Sequence, residues 1–229
     1  MKTVVVSDLH GCSMEFSALL RKAGLNRQED RLVILGDLFD RGNHSYEVMK
    51  KVGRLHEEMG DRFFLVRGNH DQFLLDYIEG KIPLQLWALN GGLKTIESFR
   101  SHQTELDEPA ALLKDTPLFV RFDEFIGVHA GLISEIPEEN DEEVLLWDRS
   151  VTYGSYKGRL AVGGHTPMKN PVWFMPDGTP VELEYETEYS LPDRGFICID
   201  TGCVFGRKLT ALVIQGDRYH LVPMRKLAY

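Results

Sequence analysis

Five short islands of the chain carry side chains able to ligate a metal or move a proton: Asp8-Leu9-His10-Gly11, Gly36-Asp37-Leu38-Phe39-Asp40-Arg41-Gly42, Gly68-Asn69-His70-Asp71, Gly127-Val128-His129-Ala130-Gly131 and Gly164-His165-Thr166. Imidazoles and carboxylates with room for water suit manganese, iron or zinc better than calcium, and the scarcity of thiolates argues against a structural zinc. Asp8 and His10 lie two apart, so at the end of an extended strand both point the same way and can grip one cation. Asp37 can offer one oxygen to each of two cations. Asn69 adds a carbonyl oxygen, and His129 and His165 add imidazole nitrogens, completing a second centre that shares Asp37. Two ions about 3.5 to 4 Å apart can share a hydroxide and clamp phosphoryl oxygens during in-line attack, so the chemistry expected is hydrolysis at phosphorus.

Other residues of the islands fit the remaining roles of such a reaction. His70 follows Asn69 directly and should project to the substrate side, where a protonated imidazole can speed departure of an alkoxide by roughly 10² to 10⁴. Asp40 would hold that imidazolium. Arg41 and Arg149 can each present a planar fork to phosphate oxygens; for Arg149 the alternative is an ion pair with Asp148. Asp71 reads as a helix N-cap for a segment starting near Gln72, without a catalytic duty. Taken singly, Asp8 and Asp37 would be ordinary turn or helix caps. His44, His56, His102 and His220 stand outside the islands and read as ordinary packed or hydrogen-bonded residues.

The islands must be positioned by the elements before them. Each follows a β-like run: Thr3 to Val6, Arg31 to Leu35, Phe63 to Val66, Phe125 to Val128 and Leu160 to Val162. Between the early runs, Ser13 can cap a helix carrying Phe16, Leu19, Leu20 and Ala23, and a second helix from about His44 carries Val48, Val52, Leu55 and Met59. Right-handed crossovers put these strands in one mostly parallel sheet with the ligand loops at its carboxyl rim. From Gln72 to Leu113 the pattern is helical, broken at Pro83 and Asn90-Gly91-Gly92, and this insertion is expected to shape the substrate approach. The second half turns to shorter strands, Leu118 to Phe122, Phe125 to Val128, Leu160 to Gly163 and Phe196 to Ile199, with a hairpin from Leu209 to Val222 turning at Gly216-Asp217. Strands without intervening helices suggest a second, mixed sheet packed on the first. The fold class expected is α/β (α+β), two mixed sheets in a sandwich flanked by helices.

With 229 residues and 43% hydrophobic content the chain suits one domain with a sizeable core, spanning 1–229. The formal charge is −9, so general attraction to a nucleic-acid backbone is disfavoured. The N-terminus runs straight into a strand without a signal-like segment, and no apolar run is long enough to span a bilayer, which leads us to expect a cytoplasmic protein with neither membrane nor nucleic acid as partner. Cys12, Cys198 and Cys203 lack zinc-ribbon spacing and are odd in number, so they are expected to be reduced. Tyr153, Tyr156 and Trp173 can line a substrate groove, or equally belong to the core.

The five islands in this order resemble those of the calcineurin-like metallophosphoesterases. The full Gly-Asp-x-x-Asp-Arg-Gly form at 36–42 is similar to the phosphoprotein-phosphatase branch, whose bacterial members include serine/threonine phosphatases and symmetrical diadenosine tetraphosphatases. Leu146-Trp147-Asp148-Arg149, Ile199 to Cys203 and Lys208 to Leu212 also resemble segments of those enzymes. The resemblance implies Asp8, His10 and Asp37 on one metal and Asp37, Asn69, His129 and His165 on the other. It also implies His70 paired with Asp40, and two divalent ions, manganese in vitro, with iron, zinc, nickel or magnesium as alternatives. Asp71 departs from the Glu common in the protein phosphatases. The function expected is hydrolysis of phosphoserine or phosphothreonine monoesters, extending to phosphotyrosine or small phosphoesters. The alternative is symmetrical cleavage of diadenosine tetraphosphate to two ADP; against it, the chain is short, and the segments Gln72 to Leu113 and Ser134 to Leu146 offer few cations for four phosphates. A non-catalytic scaffold would show a missing ligand or acid, and none is missing.

Overall fold

Unbroken apolar runs, rather than alternating ones, form β1 (Thr3–Val6), β2 (Arg31–Leu35) and β3 (Phe63–Val66), and nearly every side chain in them is buried. Such runs suit strands covered on both faces. These strands belong to a computed structural model that describes residues 1–227. Helices α1 (Ser13–Lys22) and α2 (Ser45–Met59) lie between them, and four further helices follow: α3 (Asn69–Ile78), α4 (Leu84–Leu89), α5 (Gly92–Ser101) and α6 (Asp107–Leu113). The breaks around Pro83 and Gly91 fall where the sequence placed them. The second half contributes β4 (Phe119–Arg121), β5 (Ile126–Val128), α7 (Glu142–Trp147), β6 (Ala161–Gly163), β7 (Val172–Phe174), β8 (Pro180–Glu182), β9 (Tyr189–Ser190), β10 (Phe196–Cys198), β11 (Lys208–Gln215) and β12 (Arg218–Arg225).

The strands form two mixed sheets of six, ordered β3-β2-β1-β11-β12-β9 and β4-β5-β6-β10-β7-β8. In the first, β1, β2 and β3 run parallel and the rest antiparallel. In the second, β5, β6 and β10 run parallel. Alternation along β1 divides the core: Val4 and Val6 pack with Phe16, Leu19, Val48 and Val52 of the helices, while Val5 faces Phe125, Val162 and Ile197 of the other sheet. Each such side chain contributes about 1.5 to 3 kcal/mol on burial, so the sheet-to-sheet contact holds the carboxyl rims of the two sheets together. Leu145 of α7 packs on Val128 and Phe196 of the second sheet.

Three expectations are corrected. The hairpin turning at Gly216-Asp217 joins the first sheet through β1, with Val5 opposite Leu212, rather than the second sheet that the run of short strands suggested. Ser13 is the first helical residue and does not cap α1; its Oγ and carbonyl oxygen instead accept Lys51 Nζ at 3.0 and 2.7 Å. Helix α3 begins at Asn69, so Asp71 stands in its first turn and is not the N-cap; Asp71 Oδ2 accepts the Gly68 N–H at 2.9 Å, one half of a capping box.

Candidate active site

Asp8, Asp37, Asn69, His129 and His165 sit just past the carboxyl ends of β1, β2, β3, β5 and β6, so both sheets deliver their loops to one rim. The backbone there is unusual. Asp8, His10, Asp37, Asp40, Arg41 and His165 all have φ between 40° and 69°, a region that costs an ordinary side chain free energy and that persists only where surrounding contacts impose it. Asp8 and His10 therefore reach the site from left-handed turns and not from an extended strand end, which corrects the reason given for their pairing. Glycines make the close approaches possible: a Cβ at Gly164 would run into Asp8 Oδ2, and one at Gly68 into the backbone nitrogen and Oδ1 of Asp37.

The side chains gather into two groups whose ligand atoms lie within 4.8 Å of one another, His10 with Asp37 and His70, and Asp37 with His129 and His165. Asp37 belongs to both. Its Oδ2 lies 3.3 Å from His10 Nε2 and its Oδ1 lies 3.4 Å from His129 Nε2. Asn69 Oδ1 lies 2.9 Å from both His129 Nε2 and His165 Nδ1. The other ring nitrogens of His10 and His129 donate to the Phe39 and Leu35 carbonyls at 2.7 and 2.8 Å, which fixes the ring orientations. His165 Nε2 is buried with no hydrogen-bond partner among the described residues. Asp8 lies beside these groups, its carboxylate accepting the His165 backbone N–H at 3.1 and 3.2 Å. Converging carboxylate oxygens, an amide oxygen and imidazole nitrogens fit divalent cations, and the shared Asp37 fits a pair of them.

His70 and Asp40 meet as the sequence anticipated. His70 Nδ1 donates to Asp40 Oδ2 at 2.8 Å, and both are buried. Two further donors hold the Asp40 carboxylate: Trp87 Nε1 at 2.9 Å and Thr95 Oγ1 at 2.7 Å. Arg41 Nη1 lies 2.6 Å from His10 Nε2, with its guanidinium 5.5 Å over the Phe205 ring. Arg149 makes no ion pair with Asp148 among the described residues. Its Nη1 donates to the His165 carbonyl at 3.1 Å and to Thr166 Oγ1 at 2.9 Å, which leaves the rest of an exposed fork at the rim.

Burial and like charge shape the electrostatics. Burial would raise the Asp37 carboxyl, but His129, His70 and His10 outweigh it and hold it well below the usual range. Burial lowers His10, yet Asp37 more than offsets this and brings it to about 9. Burial and the neighbouring His129 press His165 down to about 3. Burial and Asp37 push Asp71 up to about 7, while burial and Asp8 push Asp200 to about 8. Crowded titratable groups of this kind mark functional sites more often than structural ones.

The fold and the donor set are matched by known proteins. A family model described as calcineurin-like phosphoesterase matches residues 1–188. The chain belongs to the calcineurin-like phosphoesterase family. It is similar to a bis(5'-nucleosyl)-tetraphosphatase of the asymmetrical type, PrpE of Bacillus cereus, at 28% identity over 93% of this chain and 90% of that one. Among solved structures it shares its fold with a cold-active protein-tyrosine phosphatase of a psychrophilic Shewanella, with a TM-score of 0.72 and 16% identity, over 98% of this chain and 80% of that one. A protein serine/threonine phosphatase of Saccharomyces cerevisiae gives a TM-score of 0.66 and 17% identity, over 100% and 81%. Members of this family use divalent metal ions, which agrees with the paired donor groups. Among the described residues no helix is long and apolar enough to cross a membrane.

Several supports of this phosphoesterase site were not foreseen. Trp87 and Thr95 lie in the helical insertion, where sequence showed only helix. Asp71 does more than start a helix: its two oxygens accept the backbone N–H groups of Asp37, Leu38 and Gly68 at 2.9, 3.0 and 2.9 Å, bracing the Asp37 turn. Asp200, within the Ile199 to Cys203 run, lies close enough to Asp8 for their charges to act on each other. Aromatic residues beside the site include Trp147, whose ring centroid is 6.0 Å from that of His165, Phe73, whose centroid is 5.8 Å from that of His70, and Phe205. Tyr156 is core, Trp173 packs against the inter-sheet cluster, and Tyr153 is exposed. The three cysteines are free and buried.

Proposed function

We propose that the protein hydrolyses phosphoric esters or anhydrides at a dinuclear metal centre held by Asp8, His10, Asp37, Asn69, His129 and His165, with His70 as general acid. The observation that carries this reading is the buried His70–Asp40 pair standing beside two donor groups that share Asp37. Two divalent ions bound there would supply a water acidified towards neutrality and positive charge facing the phosphoryl oxygens. With Nδ1 committed to Asp40, the proton that His70 can give away is the one on Nε2, and the Asp40 charge, fixed by Trp87 and Thr95, stabilises the imidazolium until then. Arg41 and the free part of the Arg149 fork orient the phosphoryl group and share its charge.

The substrate favoured is a dinucleoside polyphosphate, cleaved asymmetrically. The support is a relative of that description matching nearly the full length of both chains. Where the sequence alone put phosphoserine and phosphothreonine first and named the symmetrical reaction as alternative, this reading puts the anhydride first and takes its asymmetrical form. Phosphoserine and phosphothreonine remain a second reading, favoured by the fully held acid, since an alkoxide leaves poorly without a proton. Manganese-loaded protein, given diadenosine tetraphosphate and a phosphoserine peptide side by side, should show the higher kcat/KM on the nucleotide, with AMP and ATP as products. A hundredfold preference for the peptide would overturn the substrate assignment, and two ADP as products would overturn its asymmetry.

A further inference from the structure

The loops that leave the candidate active site run into a groove that carries the opposite charge to the molecule as a whole. Past His165, the segment from Pro167 to Asn170 packs on the loop between Gly202 and Lys208: Gly202 lies against Pro167, and Arg207 Nη1 approaches the Met168 carbonyl at 3.5 Å. Together with the end of β12 they line an open groove of about 600 Å³ whose side chains include Lys169, Arg207, Lys208, Arg225 and Lys226, with no acidic side chain among its walls. Phe205, 57% exposed, is joined directly to Gly206 of the groove wall and holds its ring 5.5 Å from the Arg41 guanidinium, so it links the groove to the site side.

The cations are assembled against their own repulsion. Lys208 and Arg225 are directly opposite in the antiparallel register of β11 and β12, and Arg207 and Lys226 are joined by a backbone hydrogen bond of 2.8 Å. Like charges directly opposite across strands destabilise a sheet. Lys226 is held by Glu15 at 2.8 Å, and Lys208 lies over the Tyr185 ring at 4.2 Å. Lys169, Arg207 and Arg225 form no ion pair among the described residues, in a chain with 35 acidic and 26 basic residues. The other basic cavity, between α1 and α2, differs on this point: Arg27 and Arg54 are both bound to Glu58, and Glu47 lines its wall.

We propose that the groove of Lys169, Arg207, Lys208 and Arg225 is a second anion site that takes the non-reacting phosphates of an oligophosphate chain whose reacting phosphate lies at the metal-ligand groups. This deepens the anhydride reading and rests on it. It also answers the shortage of cations noted in the segments 72–113 and 134–146, because the cations come from segments remote in sequence. Guanidinium forks and ammonium groups suit successive phosphate oxygens, and a chain too short to cross Phe205, such as an aryl monophosphate, gains nothing from them.

The test is the variant Lys169→Gln/Arg207→Gln/Arg225→Gln, all at exposed positions, in the manganese-loaded full chain. Kd for a methylene-bridged, non-hydrolysable analogue of diadenosine tetraphosphate, read by calorimetry, should rise about 30-fold at 0.1 M salt, and the affinity should lose much of its salt dependence. kcat/KM for p-nitrophenyl phosphate should stay within twofold. Phe205→Ala should weaken the nucleotide analogue but leave inorganic tripolyphosphate unaffected, which separates a nucleotide from a bare phosphate chain as the ligand. Unchanged analogue affinity in the triple variant would overturn the second site. If the wild type failed to bind or cleave the dinucleotide, the substrate reading would fall. The groove would then be judged by tripolyphosphate inhibition of p-nitrophenyl phosphate turnover at saturating manganese, with equal inhibition of wild type and triple variant refuting it.

Discussion

Replacing Asp40 by Asn tests the proton transfer in isolation from the metal-ligand groups. The carboxylate accepts from His70 Nδ1, Trp87 Nε1 and Thr95 Oγ1, at 2.8, 2.9 and 2.7 Å, and is wholly buried. An amide of the same shape keeps one acceptor oxygen and turns two N–H donors towards groups that are themselves donors. The bond to the imidazolium then loses its charge assistance, worth about 1.5 to 3 kcal/mol. At 1.36 kcal/mol per factor of ten, that is a loss of about 10- to 150-fold in kcat, with an upper bound near 10⁴ if the ring adopts the wrong tautomer. The loss should depend on the leaving group. Steady-state turnover across a series of aryl and alkyl phosphates should show the full deficit for alkyl esters. For p-nitrophenyl phosphate, whose leaving group departs unaided, it should be no more than about threefold. A deficit equal across the series would show that Asp40 serves the site without governing the proton, and no deficit would refute the dyad.

Further consequences concern the groups that hold the site. Asp71→Asn should cost about 1 to 3 kcal/mol of stability by chemical unfolding, because an NH2 group then replaces one of the two oxygens that hold three backbone donors and faces a donor itself, and should lower manganese affinity 10- to 100-fold by loosening Asp37. Trp87→Phe, which removes the donor to Asp40 together with part of a fully buried ring, should lower kcat about tenfold for alkyl esters with KM little changed. In metal-depleted protein, Asp71 at about 7, Asp200 at about 8 and His10 at about 9 each hold a proton in the folded state that the unfolded chain has already released. Their stabilising protonation is lost as pH rises, so Tm should fall between pH 6.5 and 9, and manganese should flatten that decline. His165, held near 3, acts in the opposite direction and destabilises the fold as pH drops below about 6.5, so a calorimetric Tm that rose steadily from pH 6.5 to 9 would contradict these assignments.

Much of the site was legible because its chemistry is local in sequence. A residue type able to ligate metal, directly after an apolar run and with glycine nearby, marks a strand end and a close approach together, and on that basis the sequence singled out Asp37, Asn69, His129 and His165, which the fold brings to one rim. The pairing of His70 with Asp40 was also legible, since the two residues occupy islands that already had to converge. What could not be read depends on contacts without local signature. The strand alternation invoked for Asp8 and His10 is replaced by left-handed turns, which the surrounding loops impose. The hairpin β11–β12 could have extended either sheet by its own pattern, and only its register on β1 places it in the first. Trp87 and Thr95 look like ordinary helix residues until the helical insertion folds back over Asp40. The cations of the groove are dispersed at positions 169, 207, 208 and 225, and no single segment appears basic.

The account depends on two cations sharing Asp37. Manganese stoichiometry, with the low-temperature EPR spectrum of the loaded protein and of Asp37→Asn, tests this most directly. The wild type should bind two ions per chain and show the multiline signal of an exchange-coupled pair, and Asp37→Asn should retain at most one ion with no coupling. A single uncoupled ion in the wild type, or a coupled pair surviving in the variant, would contradict the shared-ligand centre from which the rest is derived.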